Sequence, residues 1–267
     1  MEKENVRKTV RDGYAKIARG PCSCGTGAGS CCGEGTSAAR FFSEAGYSAQ
    51  EIASVPDGAV LGLACGNPLA FATTVAGETV LDLGSGPGLD CFLAAKAVGP
   101  AGRVIGVDMT PEMIDMAREN AAKGGYGNVE FRLGEIEHLP AADDSVDVII
   151  SNCVINLSPE KARVFSEAFR VLKSGGRLVV SDVVLLKPLP ETLRESEDLL
   201  VGCVANAEMK EDYITLIRGA GFHEVGVLQE RVYPVEGGGA ETAAASIIVR
   251  GVKPQAHHGT ETQGGSR

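Results

Sequence analysis

Val80-Leu81-Asp82-Leu83-Gly84-Ser85-Gly86-Pro87-Gly88 decides how this chain folds. An apolar strand-like run broken by one acid enters three glycines spaced two apart, and the helix-like stretch 89–98 follows. Glycine lets the backbone turn tightly and come close to a ligand before a helix starts, and a helix N-terminus favours negative charge. The dinucleotide fingerprint G-x-G-x-x-G would need its third glycine at position 89, which is Leu89. Here the third glycine comes one residue early, and Asp82 stands two before the first. A plain strand–helix connection and an NAD site are the other readings of such a loop.

Working outward, short apolar runs alternate with helical stretches, the signature of βα units and a parallel sheet. Strands are predicted at 104–107, 129–133, 146–150 and 178–180. Thr110-Pro111 reads as a helix start, with Thr110 as N-cap and Pro111 in the first turn. A helix over 159–172 is predicted to close at Gly175-Gly176. After Pro190 come two helical stretches, 191–203 and 209–220, then strands 225–233 and 246–252 around Gly237-Gly238-Gly239, a closing antiparallel hairpin. Near the start, 5–19 can form a helix with Val6, Val10, Tyr14 and Ile17 on one face, stopped by Gly20-Pro21.

The 267 residues suit one α/β domain with extensions, and no internal repeat is present. Hydrophobic residues make up 44% and charged residues 22%, a globular balance, and the net charge of -10 argues against nucleic acid as a partner. The start, Met1-Glu2-Lys3-Glu4-Asn5, has no apolar signal core, and no run approaches the roughly 20 apolar residues of a membrane span. A cytoplasmic protein without membrane contact is expected. Its eight cysteines then read as reduced thiols, ligands or redox partners, a transient catalytic disulfide included.

The D-x-G-x-G-x-G pattern resembles the first motif of class I S-adenosylmethionine-dependent methyltransferases, over about residues 79–182. That resemblance implies a Rossmann-like, doubly wound, mostly parallel α/β sheet. It also implies S-adenosylmethionine as cofactor, held by Asp82, Gly84, Ser85, Gly86 and Gly88. In the family a carboxylate ending the second strand holds both ribose hydroxyls, and Asp108 stands there; its two oxygens can accept two hydroxyl protons at once. Glu135 and Ile136 match the adenine contact, and Met109 and Asn152 are further pocket candidates. Met109 and the nearby Met113 serve equally well as core packing.

Thiolates are soft donors, and three of them can surround one trivalent centre. Spacing alone does not show which cysteines converge. Cys153 follows the strand 146–150, so it belongs at the carboxyl edge of the sheet, where such folds bind ligands. Cys91, in the first turn after the glycine loop, reads as a small buried hydrophobe. His138 and His223 read as structural, and His257 and His258 lie in a tail without apolar pattern.

Gly62-Leu63-Ala64-Cys65-Gly66-Asn67-Pro68, Ser151-Asn152-Cys153-Val154-Ile155-Asn156-Leu157 and Gly202-Cys203 resemble the arsenite S-adenosylmethionine methyltransferases, a match spanning most of 6–222. The second of these is highly specific. The resemblance implies that Cys65, Cys153 and Cys203 bind trivalent arsenic as substrate, in the service of arsenic detoxification. It also implies an N-terminal cysteine that pairs with Cys65; Cys32 fits best, with Cys31 the alternative. Thioredoxin or a glutathione-like thiol would reduce that pair. The chain departs from the family by adding Cys22 and Cys24, and the usual spacing of a zinc site is absent among the four.

The expected reaction is exchange of arsenite hydroxyl or thiol ligands for cysteine thiolates, followed by in-line methyl transfer to the arsenic lone pair. A lone pair needs no general base, so the lack of a catalytic His or Ser triad is consistent with it. The rival readings are a methyltransferase acting on carbon, oxygen or nitrogen, and a thiol-based arsenic sensor or sequestration protein. The expected organisation is a helix, Cys/Gly-rich loop and lid over 1–78; a methyltransferase domain over 79–254, with an arsenic-binding insertion near 183–222; and a disordered tail over 255–267.

Overall fold

The structure, a computed structural model, describes residues 3–20, 42–194, 196–234 and 243–256. Cys22, Cys24, Cys31, Cys32, the Gly237-Gly238-Gly239 loop, His257 and His258 lie outside the described residues. Seven strands, β1 (Thr79–Leu83), β2 (Arg103–Asp108), β3 (Val129–Leu133), β4 (Val146–Asn152), β5 (Leu172–Leu185), β6 (His223–Pro234) and β7 (Ala243–Val252), form one sheet in the order β3-β2-β1-β4-β5-β7-β6. The first five are mutually parallel. β7 runs antiparallel to β5, and β6 antiparallel to β7.

Because side chains alternate across a strand, a sheet covered on both faces needs apolar residues at every position. Leu81, Leu83 and Ile149 accordingly pack with Phe165 and Tyr213 on one face. Val80, Val148 and Ile150 pack with Phe92 on the other. Burying each such aliphatic side chain contributes about 1.5–3 kcal/mol. The helices α1 (Lys3–Arg19), α2 (Ala49–Ala53), α3 (Leu69–Ala72), α4 (Leu89–Val98), α5 (Pro111–Gly124), α6 (Lys161–Val171), α7 (Glu191–Arg194), α8 (Glu197–Val201) and α9 (Lys210–Gly219) complete the fold. β1 lies between β2 and β4, so the strand order reverses there and a crevice opens beyond the carboxyl ends.

Three local expectations are corrected. The helix predicted over 159–172 ends at Val171, and β5 begins at the next residue, so Gly175 and Gly176 lie inside a strand. Gly175, at φ 78°, donates its N–H to the Lys253 carbonyl at 3.0 Å. The stretch 191–203 is two short helices rather than one. Thr110 occupies the N-cap of α5 but makes no side-chain cap bond; its own N–H donates to Asp108 Oδ1 at 2.8 Å.

α1 lies over the crevice. Its Val6 and Val10 pack with Cys153, Leu157, Leu200 and Cys203. Arg7 anchors it, bonding Glu160 at 2.5 Å and Glu137 at 3.3 Å, while Lys3 also reaches Glu160 at 2.9 Å. Among the described residues no helix is long and apolar enough to cross a membrane.

Candidate active site

The glycine loop is tied to the neighbouring strand by its backbone: the N–H groups of Gly84 and Ser85 donate to the Val107 carbonyl at 2.8 and 3.0 Å. Gly84 sits at φ 69°, where a Cβ would also stand 2.4 Å from the Val154 side chain. Side chains beyond hydrogen are excluded on both counts. Gly86 donates its N–H to Asp108 Oδ2 at 3.0 Å, so the carboxylate at the end of β2 is set by two backbone donors, from Gly86 and Thr110. Burial pushes its carboxyl above the ordinary range, and the two donors partly offset that.

Beneath the loop two acids face each other in the interior. Asp82 and Asp90 are both buried. Asp82 accepts from the Cys91 thiol at 3.2 Å, and Asp90 from the Tyr47 hydroxyl at 2.7 Å and the Asn152 amide at 3.1 Å. Burial, and then the charge of Asp90, hold the Asp82 carboxyl well above the usual carboxylate range. Ser85 Oγ is buried without a partner.

These groups border a cavity of about 360 Å³ at the carboxyl edge of the sheet. Asp82, Gly84, Ser85, Gly86, Asp108, Met109, Ile136 and Asn152 line it, as do Cys65, Cys153 and Cys203. Gly88 and Glu135 are not among the lining residues. Gly88 caps α4 at φ 102°, where a Cβ would meet the rings of Phe131 and Phe92 at 2.8 Å, so its constraint is packing. Glu135 pairs with Arg7 at 3.8 Å. Its neighbour Glu137 lines the cavity instead, buried and accepting from Ser158 Oγ at 2.6 Å.

Sequence reasoning missed Arg7, Tyr14, Asp90 and Glu137, all on the cavity wall. Asp90 did carry a signal, since it is an acid in a helix whose other first-turn residues are apolar. Tyr14 carried none beyond its place on the apolar face of α1.

The cysteines come from three separate segments. Cys65 lies in the loop before α3, Cys153 directly after β4, and Cys203 after α8. The structure joins Cys65 to Cys153 in a disulfide, with Cα atoms 5.8 Å apart. Cys32 and Cys31, the partners of Cys65 that the resemblance implies, lie outside the described residues. Cys203 is free, and its thiol donates to the Cys153 carbonyl at 2.7 Å. Cys153 and Cys203 adopt φ 58° and 65°, a region costly for residues other than glycine. Such outliers occur where surrounding bonds over-determine the backbone. Here Asn206 Nδ2 donates to the carbonyls of Asn156 and Ser158 at 2.8 and 2.9 Å, joining the Cys203 loop to the Cys153 loop. Burial, and then the charge of Asp182, push the Cys203 thiol up. With two of its three sulfurs joined, the set is closed, and among the described residues no group of three or more His, Cys, Asp or Glu stands ready for a metal ion.

The cavity wall carries four carboxylates, Asp82, Asp90, Asp108 and Glu137, against one guanidinium, Arg7. With apolar residues between them, it suits a ligand that brings positive charge, a diol for Asp108 and a flat apolar part. The size lies within the roughly 300–1,000 Å³ of small-molecule sites. S-adenosylmethionine, with a sulfonium, an ammonium, a ribose and an adenine, meets each requirement.

A methyltransferase-domain profile matches residues 74–221. The chain is 56% identical to an arsenite methyltransferase of Halobacterium salinarum over 229 residues, covering 83% of this chain and 58% of that protein. It is 41% identical to the human arsenite methyltransferase over 152 residues, covering 54% and 40%. The chain thus spans about half the length of these curated relatives. Among solved structures, an arsenic (III) S-adenosylmethionine methyltransferase from Chlamydomonas reinhardtii superposes with a TM-score of 0.67 at 38% identity, covering 81% of this chain and 74% of that one. A glycine loop and carboxylate of the methyltransferase type, a matching profile and this relative lead to one conclusion: the chain belongs to the methyltransferase-domain family, and within it to the arsenic(III) S-adenosylmethionine methyltransferases.

Proposed function

We propose that this chain transfers a methyl group from S-adenosylmethionine to trivalent arsenic held by Cys65, Cys153 and Cys203. The observation that carries the reading is that all three cysteines and the glycine loop with Asp108 border one cavity. Asp108 would hold the ribose hydroxyls, Ile136 and Met109 the adenine, and the Asp82–Asp90 acids would face the cationic end. When bound, the cofactor supplies an electrophilic sulfonium methyl. Setting two reactants side by side can lower a barrier by about 7–11 kcal/mol, and the fold's contribution is chiefly that positioning.

The raised Cys203 thiol is no obstacle to arsenic capture. Each thiol proton leaves with an arsenic hydroxyl as water, so neutral arsenite condenses with neutral thiols and no charge is buried alone. Methylation raises arsenic by two oxidation units, and two thiolates leaving as a disulfide return two electrons. Cys65 is common to both candidate pairs, joined here to Cys153 and matched by resemblance to Cys32 or Cys31. Either disulfide needs a reductant, thioredoxin or a small thiol, before the next cycle. The segment 183–222 supplies Cys203 and serves as the arsenic-binding insertion.

The test is incubation of reduced protein with arsenite, S-adenosylmethionine and thiols, followed by chromatography of arsenic species, with Cys153→Ser alongside. Methylated arsenic is expected from the unaltered protein, with at least a hundredfold loss in the variant and cofactor binding retained. Equal turnover by both proteins would remove the thiol mechanism. Arsenite binding without product would make the chain a sensor.

A further inference from the structure

Cys65 belongs to neither a helix nor a strand, yet both of its backbone polar groups are taken by side chains from the sheet. Its N–H donates to Asn152 Oδ1 at 3.0 Å, and its carbonyl accepts from Ser246 Oγ at 2.6 Å. The other end of the Asn152 amide donates to the Gly66 carbonyl at 2.7 Å, the Tyr47 hydroxyl at 2.9 Å and Asp90 Oδ2 at 3.1 Å. One side chain thus grips the chain on both sides of the Cys65 thiol. The residue after it in sequence, Cys153, supplies the second thiol.

An amide has two N–H donors and one carbonyl acceptor. Both ends of Asn152 are engaged by the protein, three acceptors sharing its two N–H groups. Asn152 lines the cavity, and its two N–H donors are already shared among three protein acceptors. Asp90, which it bonds, is also on the cavity wall, and Tyr47 holds the other Asp90 oxygen at 2.7 Å. Ser246 comes from β7, where it pairs with Val183 of β5.

We propose that Asn152 and Ser246 are positioning residues that hold the Cys65 thiol against Cys153, with Asn152 also fixing it relative to Asp90 of the cofactor cavity. Thiol and methyl donor are then placed by one amide instead of two independent loops. Neither residue touches the reacting atoms. The arsenic part of the inference rests on the function proposed above, while the placement of one thiol against the other does not.

The experiment uses the full-length reduced protein, unaltered and as Asn152→Ala, Ser246→Ala and Ser246→Thr. Three quantities are measured: affinity for phenylarsine oxide, a trivalent arsenical that bridges two thiols; affinity for S-adenosylmethionine by calorimetry; and the rate at which the Cys65–Cys153 disulfide closes once the reductant is exchanged for oxidised glutathione, which takes up the two electrons, followed by peptide mass. Partners one shell out from a metal ligand are typically worth about 10- to 100-fold in affinity. Asn152→Ala is therefore expected to weaken phenylarsine oxide binding about 10- to 100-fold and to slow closure, while S-adenosylmethionine affinity changes less than about threefold. Ser246→Ala should shift the same two quantities less, and Ser246→Thr, which keeps the hydroxyl, should restore them.

An equal loss of S-adenosylmethionine affinity in Asn152→Ala would make Asn152 a cofactor residue and overturn the proposal. So would unchanged closure and arsenical binding in both alanine variants. If Asn152→Ala fails to fold, the Ser246 pair decides by itself. Should the unaltered protein ignore phenylarsine oxide while the alanine variants still slow closure, the arsenic reading fails and the positioning role stands.

Discussion

The two halves of the cavity are built by different means. On the cofactor side the loop and carboxylate are set by neighbouring strand ends through backbone N–H groups, Gly84 and Ser85 to Val107, Gly86 and Thr110 to Asp108. On the thiol side the cysteines sit in irregular segments, two of them at positive φ, and side chains from distant positions hold them. Asn152 and Ser246 reach Cys65, and Asn206 ties the Cys203 loop to the segment after Cys153. A half fixed by backbone should keep its shape through side-chain change except at its glycines and at Asp108, whose carboxylate those N–H groups hold. A half fixed by side chains should fail one amide or hydroxyl at a time.

The largest expected effect lies on the cofactor side. Asp108→Ala removes the carboxylate proposed above to hold both ribose hydroxyls, and hydrogen bonds to charged groups contribute about 1.5–3 kcal/mol each. S-adenosylmethionine affinity should fall about a hundredfold by calorimetry, with phenylarsine oxide capture unchanged. If capture fell equally, the two halves would not be separable.

A smaller effect is expected beneath the thiol loops at Asp182. It is buried and accepts from Tyr213 at 2.9 Å, from Asn156 at 3.0 Å and from the Val183 N–H at 3.1 Å. Burial raises its carboxyl from an ordinary 3.8 to about 7, against the pull of those donors. The folded protein therefore keeps a proton that the unfolded chain has already lost. The stability this contributes is complete below about pH 4 and is lost as pH rises through about 7. Asp182→Asn should remove that slope, so its melting temperature gains on the unaltered protein between pH 5 and 8, by the equivalent of roughly 1–3 kcal/mol. Parallel melting curves for the two proteins across that range would show that Asp182 does not titrate there.

The smallest effect concerns Asn206→Ala, which removes two hydrogen bonds of about 0.5–1.5 kcal/mol each. Arsenite KM should rise several-fold while S-adenosylmethionine KM stays put. A rise in both would mean that the Cys203 loop also shapes the cofactor side.

The same contrast governs what the sequence could disclose. The strand, the glycines and the acid at 108 are local, so a reader of residues 79–108 reaches the sheet and its ligand edge directly. Periodicity also finds α1 and the closing hairpin. It places the end of α6 within one residue but misses that β5 starts at once, with Leu172 paired to Val146 of β4, so that Gly175 and Gly176 fall inside a strand. Glu137 rather than Glu135 faces the cavity, a side-chain direction that no spacing specifies. The three cysteines are recognisable only through resemblance, since the bonds that gather them span 87, 181 and 50 residues.

The bond from Ser246 to the Cys65 carbonyl has a consequence during synthesis. Its two ends are 181 residues apart in the chain. A ribosome adding about 5–20 residues each second takes on the order of ten to forty seconds to cover that distance. Throughout that interval Cys65 has emerged without its second anchor, an unpaired nucleophile on a nascent chain. The last strand of the sheet therefore also sets the moment at which Cys65 gains both of its backbone anchors.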